Sequence, residues 1–235
     1  MNIKMSVQEF AKHFDLAIHN QSLGKSDIMK YVDIAKDKRP SALYTNPHWS
    51  AMVAKELQGT GVRAGGALGF PFGAYTTETK LDETRQLLAA GCKTMDMVVN
   101  IGELRDKNYS FVENEISQFA QLCKEADAWS KIIFEVGYLN NNEIADLTRI
   151  CCDCNIDYVK TASGTQDFPD FKHVQVMHKN LSGNTKIKVS GVPRTFTLAA
   201  ILFLMDKYDV ELFGTRSAGS IIAQYERFIS GEKYF

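Results

Sequence analysis

Eight short β-rich runs alternate with helical patterns along the chain, and this alternation restricts the fold more than any other feature of the sequence. The runs are HFDLAI (13–18), SALYTN (41–46), GALGFP (66–71), TMDMVVN (94–100), KIIFEVG (131–137), IDYVKTA (156–162), KIKVSG (186–191) and VELFGTR (210–216). Their mean separation of about 28 residues matches one strand-plus-helix unit. Between them, KSDIMKYVDIAKD, PHWSAMVAKELQG, TTETKLDETRQLLAAG, YSFVENEISQFAQLCKEAD, NNEIADLTRICC, RTFTLAAILFLMDKY and SAGSIIAQYERFI carry apolar residues three and four apart, the period of an amphipathic helix. TQDFPDFKHVQVMHKNLSGN reads as a loop and then a helix. Thr76, Thr195 and Ser217 are expected N-caps, and Gly91 a C-cap. Parallel strands need crossovers, so strict alternation implies a parallel sheet. Eight units in 235 residues predict a (β/α)8 TIM barrel of the α/β class, with 1–235 as one domain. The competing architecture is an open doubly wound sheet; nothing like G-x-G-x-x-G follows the first strand to favour it.

Composition narrows the partners. Lysine plus arginine number 27 against 28 acids, a net charge of −1. No basic field for nucleic acid is implied, and no polybasic segment for a membrane surface. The longest apolar run, LAAILFLM (198–205), is too short to span a bilayer and reads as a buried helix face. The opening MNIKMSVQEFAKHFDL lacks the apolar stretch of a signal peptide, so a cytoplasmic location is expected. Five cysteines without an export signal point to reduced thiols. Cys151 and Cys154 have C-x-x-C spacing, but no second pair accompanies them, and small residues at a helix end are expected there rather than a metal or redox site.

In a barrel of this kind the C-terminal strand ends face the active site. Those ends carry Asp15, Asp96, Asn100, Glu135, Lys160, Lys188 and the run Gly214 to Ser217. Side chains alternate along a strand. If Val159, Ile187 and Val189 face the helices, Lys160 and Lys188 point inward on neighbouring strands. Met95, Met97 and Val99 on the helix side likewise turn Asp96 inward. Burial and a nearby like charge lower a lysine pKa. A neutral amine forms a Schiff base with carbonyls. The protonated imine is an electron sink that lets an adjacent carbon–carbon bond break, while a carboxylate relays protons. Parity leaves open which lysine becomes covalent. It also leaves open a bland arrangement, two lysines neutralised by interior acids such as Asp96 and Glu135.

These residues stand in segments that resemble deoxyribose-phosphate aldolases, class I enzymes that cleave 2-deoxyribose 5-phosphate into glyceraldehyde 3-phosphate and acetaldehyde. YVKTASG resembles the family's V-K-T-S-T-G; LGFPFGAYTTETK is similar to its I-G-F-P-x-G segment with the following T-x-x-K; MDMVVNIGEL resembles I-D-M-V-x-N-I-G; IKVSGVPRT resembles V-K-x-S-G-G-I-R-T; FDLAI is similar to I-D-H-T. The resemblance covers nearly the whole chain and implies a (β/α)8 barrel. It implies Lys160 as the Schiff-base lysine, Lys188 as the lysine that tunes its pKa and moves protons, Asp96 as the proton-relay acid and Asp15 as a supporting acid. It implies no metal or organic cofactor and a small sugar phosphate as partner; a homodimer or other homo-oligomer is expected by analogy with the fold, because exposed helices of barrels often build dimers. Some members carry a tyrosine in a C-terminal tail that aids proton transfer; Tyr234 stands in that place, where an ordinary tail is the expected reading. The phosphate side would comprise Thr161, Ser163, Gly164, Ser190, Gly191, Val192, Arg194, Gly214, Arg216 and Ser217.

Four departures from the family pattern stand out. Val192 and Pro193 replace a glycine-containing turn, and Pro193 has no N–H. Arg216 replaces a small residue and could add a bidentate phosphate contact or a salt bridge. Ala162 and Ser163 replace the middle of T-S-T-G, and Leu16 replaces a histidine. Val192, Pro193 and Arg216 motivate, as an alternative, a related Schiff-base aldolase with another or an unphosphorylated substrate; a barrel that binds a sugar phosphate without catalysis is a further alternative, against which the retained lysine pair and acid count. A phosphosugar isomerase on the same barrel would need no imine.

Overall fold

The computed structural model describes residues 5–165, 169–191 and 197–231. Eight parallel strands run β1 (Phe14–Ala17), β2 (Ala42–Tyr44), β3 (Arg63–Leu68), β4 (Thr94–Val98), β5 (Trp129–Ile133), β6 (Tyr158–Lys160), β7 (Lys186–Ser190) and β8 (Val210–Thr215). They pair in sequence order, and β8 returns to pair with β1 (Phe14 opposite Phe213), so the sheet is a closed barrel. Helices α1 (Val7–Ala11), α2 (Lys25–Lys38), α3 (Ser50–Glu56), α4 (Thr77–Ala89), α5 (Ile101–Arg105), α6 (Tyr109–Glu125), α7 (Asn141–Asp153), α8 (Phe171–Asn180), α9 (Leu198–Tyr208) and α10 (Ala218–Ser230) connect and flank the strands. None among the described residues is long and apolar enough to cross a membrane.

The parity deduced from the sequence places the core. Met95, Met97, Val99, Ile132, Val159, Ile187 and Val189 join the buried cluster between barrel and helices. Val98, Ile133 and Leu212, of opposite parity, are buried outside that cluster, in the barrel interior. Each apolar side chain so buried contributes about 1.5–3 kcal/mol relative to exposure. The barrel interior is therefore a second, smaller compartment in which charge can be isolated from water.

Several boundaries differ from the sequence reading. β3 begins at Arg63 and ends before Gly69, because Gly69 takes φ +58° and turns the chain out of the strand. β5 ends at Ile133 for a similar reason: Glu135 sits at φ +53°. Helices α1 and α5, five residues each, match no helical pattern read from the sequence; a single turn is too short to display a 3.6-residue period. The expected loop-then-helix segment contains α8. Thr76 caps α4 by accepting the Thr79 N–H, and Gly91 follows that helix at φ +97°. Ser217 precedes α10 without a capping bond from its side chain. Thr197 caps α9; Thr195 lies outside the described residues. Cys151 is buried in the last turn of α7, and Cys154 is that helix's C-cap.

A buried ion pair fastens two helices to the end of β4. Lys80 of α4 and Glu115 of α6 are both fully buried, with Nζ and Oε2 2.9 Å apart. Lys80 also donates to the Val98 carbonyl at 2.9 Å, and Thr77 donates to the other Glu115 oxygen at 3.1 Å. Removing one partner strands a charge, which costs about 3–5 kcal/mol, whereas an apolar pair of similar volume is often neutral. Lys80→Met is therefore expected to lower unfolding stability by about that amount. Lys80→Met combined with Glu115→Leu should recover much of the loss. Urea unfolding midpoints of the three proteins decide it; equal losses in the single and double variants would contradict the stranded-charge account.

Candidate active site

Five ionisable side chains from five strands meet inside the barrel. Asp15 comes from β1, Asp96 from β4, Lys131 from β5, Lys160 from β6 and Lys188 from β7. Register brings them together: Lys160 is the direct neighbour of Lys188, and Asp96 of Lys131. One Asp96 oxygen, Oδ2, accepts from Lys160 Nζ at 2.7 Å and from Lys188 Nζ at 2.8 Å. Its Oδ1 accepts the Tyr44 hydroxyl at 2.7 Å. Lys188 also reaches Asp15 Oδ2 at 2.6 Å, and Lys131 reaches the same atom at 3.0 Å. Lys131 further donates to Thr94 Oγ1 at 2.6 Å and to the Tyr44 oxygen at 2.8 Å. The Tyr44 ring occupies this place because Gly65 has no side chain: a Cβ there would lie 2.6 Å from three ring carbons.

The environment separates the lysines. Burial lowers the Lys160 pKa; Asp96 opposes this, and the Lys188 charge adds to it. The net shift is downward, so a neutral amine is accessible at Lys160. Burial also acts on Lys188, but Asp15 and Asp96 together outweigh it and raise its pKa. Lys131 is pushed down to about 8, chiefly by burial. Burial alone would raise the two carboxyls. The surrounding ammonium groups outweigh it and hold both below the usual range: Lys160 and Lys188 foremost for Asp96, Lys131 and Lys188 for Asp15. Exposure separates the groups as well. Lys160 keeps 4% of its side chain accessible and Lys188 1%, while Asp96 and Lys131 have none. Lys160 is thus the amine nearest the barrel mouth, next to a cationic Lys188.

At the C-terminal ends of β1, β6, β7 and β8 lies a cavity of about 360 Å³ bordered by Ala17 and His19, by Ser163 to Thr165, by Gly191, and by Gly214 to Ser217. Two glycines let its walls approach: Gly191 at φ +95° lies 3.2 Å from a Cβ built on Gly164, itself at φ +86°. Gly214 is equally constrained, since a Cβ would fall 2.1 Å from Ser190 Oγ and 3.1 Å from Lys188 Cε. Of the residues expected on the phosphate side, Ser163, Gly164, Gly191, Gly214, Arg216 and Ser217 border this cavity.

Thr161 and Ser190 stand elsewhere. Both are buried, and Thr161 Oγ1 donates to the Ser190 carbonyl at 2.8 Å while accepting its N–H at 2.9 Å, which clips the loop after β6 to β7. Glu135 does not neutralise the lysines; its φ of +53° turns it aside, and it accepts the Ser163 N–H at 3.1 Å. Asn100 caps α5 by accepting the Glu103 N–H at 3.2 Å. Val192, Pro193, Arg194 and Tyr234 lie outside the described residues.

Sequence reasoning missed Lys131, Tyr44, Thr94 and His19. Lys131 had a signal, a lysine opening the apolar run KIIF with inward parity. Tyr44 and Thr94 had none, because either residue suits both faces of a strand. His19 follows β1 in a loop, where no period applies.

Comparisons with known proteins identify the family. Residues 10–199 match the family described as DeoC/LacD family aldolase. The deoxyribose-phosphate aldolase of Bacillus subtilis is 35% identical over 192 residues, 81% of this chain and 84% of that protein. That of Treponema denticola is 32% identical over 188 residues, 80% of this chain and 87% of that protein. Among solved structures, a Coccidioides immitis protein superposes with TM-score 0.87 and 25% identity, covering 94% of this chain and 87% of its own. The tetrameric deoxyribose phosphate aldolase of Aeropyrum pernix superposes with TM-score 0.85 at 21% identity, covering 95% and 93%; at that identity it shows the shared barrel.

The electrostatics yield a signed test. Removing the Lys188 charge leaves Asp96 to act on Lys160 unopposed, so the Lys160 pKa should rise. In Lys188→Met, the pH profile for reductive alkylation of Lys160 by a small aldehyde should move to higher pH. A shift of about one unit would lower the rate at neutral pH about tenfold. Mass mapping of the modified lysine across pH checks it; an unmoved profile removes Lys188 as the tuning charge.

Proposed function

Because the chain belongs to the DeoC/LacD family of aldolases, we propose that it is a class I deoxyribose-phosphate aldolase working through an imine on Lys160. The observation that carries this reading is the single Asp96 oxygen shared by Lys160 and Lys188 at 2.7 and 2.8 Å. It joins a buried amine of lowered pKa, a cation of raised pKa and a carboxylate that contacts both.

The reaction follows from those groups. Neutral Lys160 adds to the C1 aldehyde of open-chain 2-deoxyribose 5-phosphate. The carbinolamine loses water, with protons relayed through Asp96 and Lys188, and becomes an iminium. The C3 hydroxyl gives up its proton to this relay, the C2–C3 bond breaks, and its electron pair moves into the iminium. Glyceraldehyde 3-phosphate departs and an enamine remains. Protonation at C2 regenerates an iminium, and water releases acetaldehyde and the free amine. Asp15 holds Lys188 and Lys131 in register and keeps the charge of the pocket near balance. Each step runs in reverse for carbon–carbon bond formation.

The phosphate is read at the rim. Arg216 borders the cavity together with Ser163 and Gly164, and a guanidinium makes bidentate contacts to phosphate oxygens. The reading also places this chemistry in one domain and in the cytoplasm, the latter supported by five free cysteines.

Treatment with acetaldehyde or deoxyribose 5-phosphate plus borohydride should fix an adduct on Lys160. Lys160→Met should abolish the label and lower kcat by about a thousandfold or more. Label on another lysine would sink the assignment. Arg216→Ala should reduce kcat/KM for the phosphorylated sugar about 10- to 100-fold, the scale of a charged hydrogen bond. Its effect on unphosphorylated deoxyribose should be small, and equal effects on both sugars would remove Arg216 from the phosphate site.

A further inference from the structure

An imidazole within electrostatic reach of both Lys160 and Arg216 has no part in the reaction above. His19 follows β1 and borders the cavity together with Gly214 to Ser217. Its ring rests on Phe70 with centroids 4.6 Å apart and meets the Tyr44 ring edge-on at 6.3 Å. Those two aromatics fix the plane of the imidazole. Neither ring nitrogen has a hydrogen-bond partner among the described residues, although the ring is half-buried. We propose that His19 is a specificity-determining residue that hydrogen-bonds the substrate's C4 hydroxyl, the one hydroxyl carbon between the cleaved bond and the phosphate-bearing carbon.

The placement follows from the two ends of the substrate and rests on the aldolase reading above. C1 is tied to Lys160, and the C5 phosphate lies at Arg216 on the rim. The C2–C3 bond must sit over Asp96 and Lys188. C4 is then the carbon that crosses the cavity, whose lining includes the imidazole of His19. The imidazole is suited to a hydroxyl. Burial, with the charges of Lys160, Lys188 and Arg216, pushes its pKa down to about 3, so the ring is neutral at working pH. A neutral imidazole offers one donor and one acceptor, the complement of an alcohol. It also does not compete with Arg216 for phosphate. A site built to bond a hydroxyl discriminates against an analogue that lacks it, because the site's polar group is left unpaired.

Bond formation with acetaldehyde provides the test, using two acceptors: D-glyceraldehyde 3-phosphate, and 3-phosphooxypropanal, which lacks the hydroxyl next to the aldehyde. In His19→Leu, kcat/KM should fall about 10- to 100-fold for the first acceptor and less than about twofold for the second. His19→Asn, which keeps a donor and an acceptor, should restore part of the preference. Equal losses with both acceptors, or no loss with either, would overturn the proposal. Acetaldehyde and borohydride trapping on Lys160 separates the two readings. Undiminished trapping in His19→Leu with unchanged acceptor preference defeats the role of His19 alone. Absence of trapping in the unaltered protein defeats the aldolase reading, and the role of His19 falls with it.

Discussion

Two ammonium groups and one phenol converge on a single buried carboxylate, and the arrangement of the barrel interior follows from satisfying it. Asp96 is fully buried and carries Lys160 and Lys188 on one oxygen and Tyr44 on the other. Isolated charges do not survive such burial. Each added cation therefore calls for a further partner: Lys188 and Lys131 take Asp15, and Lys131 also takes Thr94 and Tyr44. Three lysines and two aspartates leave one positive charge in excess. Lys131, pushed down to about 8, keeps Asp15, Thr94 and Tyr44 as partners, whereas Lys160, also lowered, has a single hydrogen bond, to an oxygen already shared. The network that keeps the interior stable thus leaves one amine poised for chemistry.

Closure of the barrel makes that network possible. Only a closed sheet lets side chains from β1, β4, β5, β6 and β7 point at one another. The small residues are as necessary as the charged ones. Gly65 admits the Tyr44 ring, and Gly214 admits Ser190 and the stem of Lys188. The buried Lys80–Glu115 pair lies outside this compartment, yet its bond to the Val98 carbonyl fixes the strand end two residues beyond Asp96. Shell and interior are therefore mechanically linked at the strand that carries the shared carboxylate.

Much of this is legible in the sequence. Alternating runs gave the barrel because parallel strands have no other economical connection. Strand parity turned Asp96, Lys160 and Lys188 inward, since a charged side chain cannot share the apolar helix-facing layer. Motif resemblance then singled out Lys160. The less legible parts share a cause. Glu135 looked like an interior acid because the run KIIFEVG continues past the strand's true end; a left-handed backbone at that residue, which apolar patterning does not report, turns it to Ser163. Thr161 looked like a ligand residue and is a clip between neighbouring segments, a role set by which backbone happens to lie alongside.

The sequence by itself determined the fold class, the inward orientation of the central lysines and acid, and the family of reactions. These depend on periodicity and on local residue type, which a linear chain displays in full. Only the tertiary structure decided how the charges are shared. Lys131 and Tyr44 enter the network from strands that are distant in sequence, and their roles depend on distances of 2.6 to 3.0 Å across a closed barrel. Only the tertiary structure, too, set His19 and Arg216 around one cavity. They lie almost two hundred positions apart, and nothing in the sequence pattern couples residues that meet only where the first strand closes on the last.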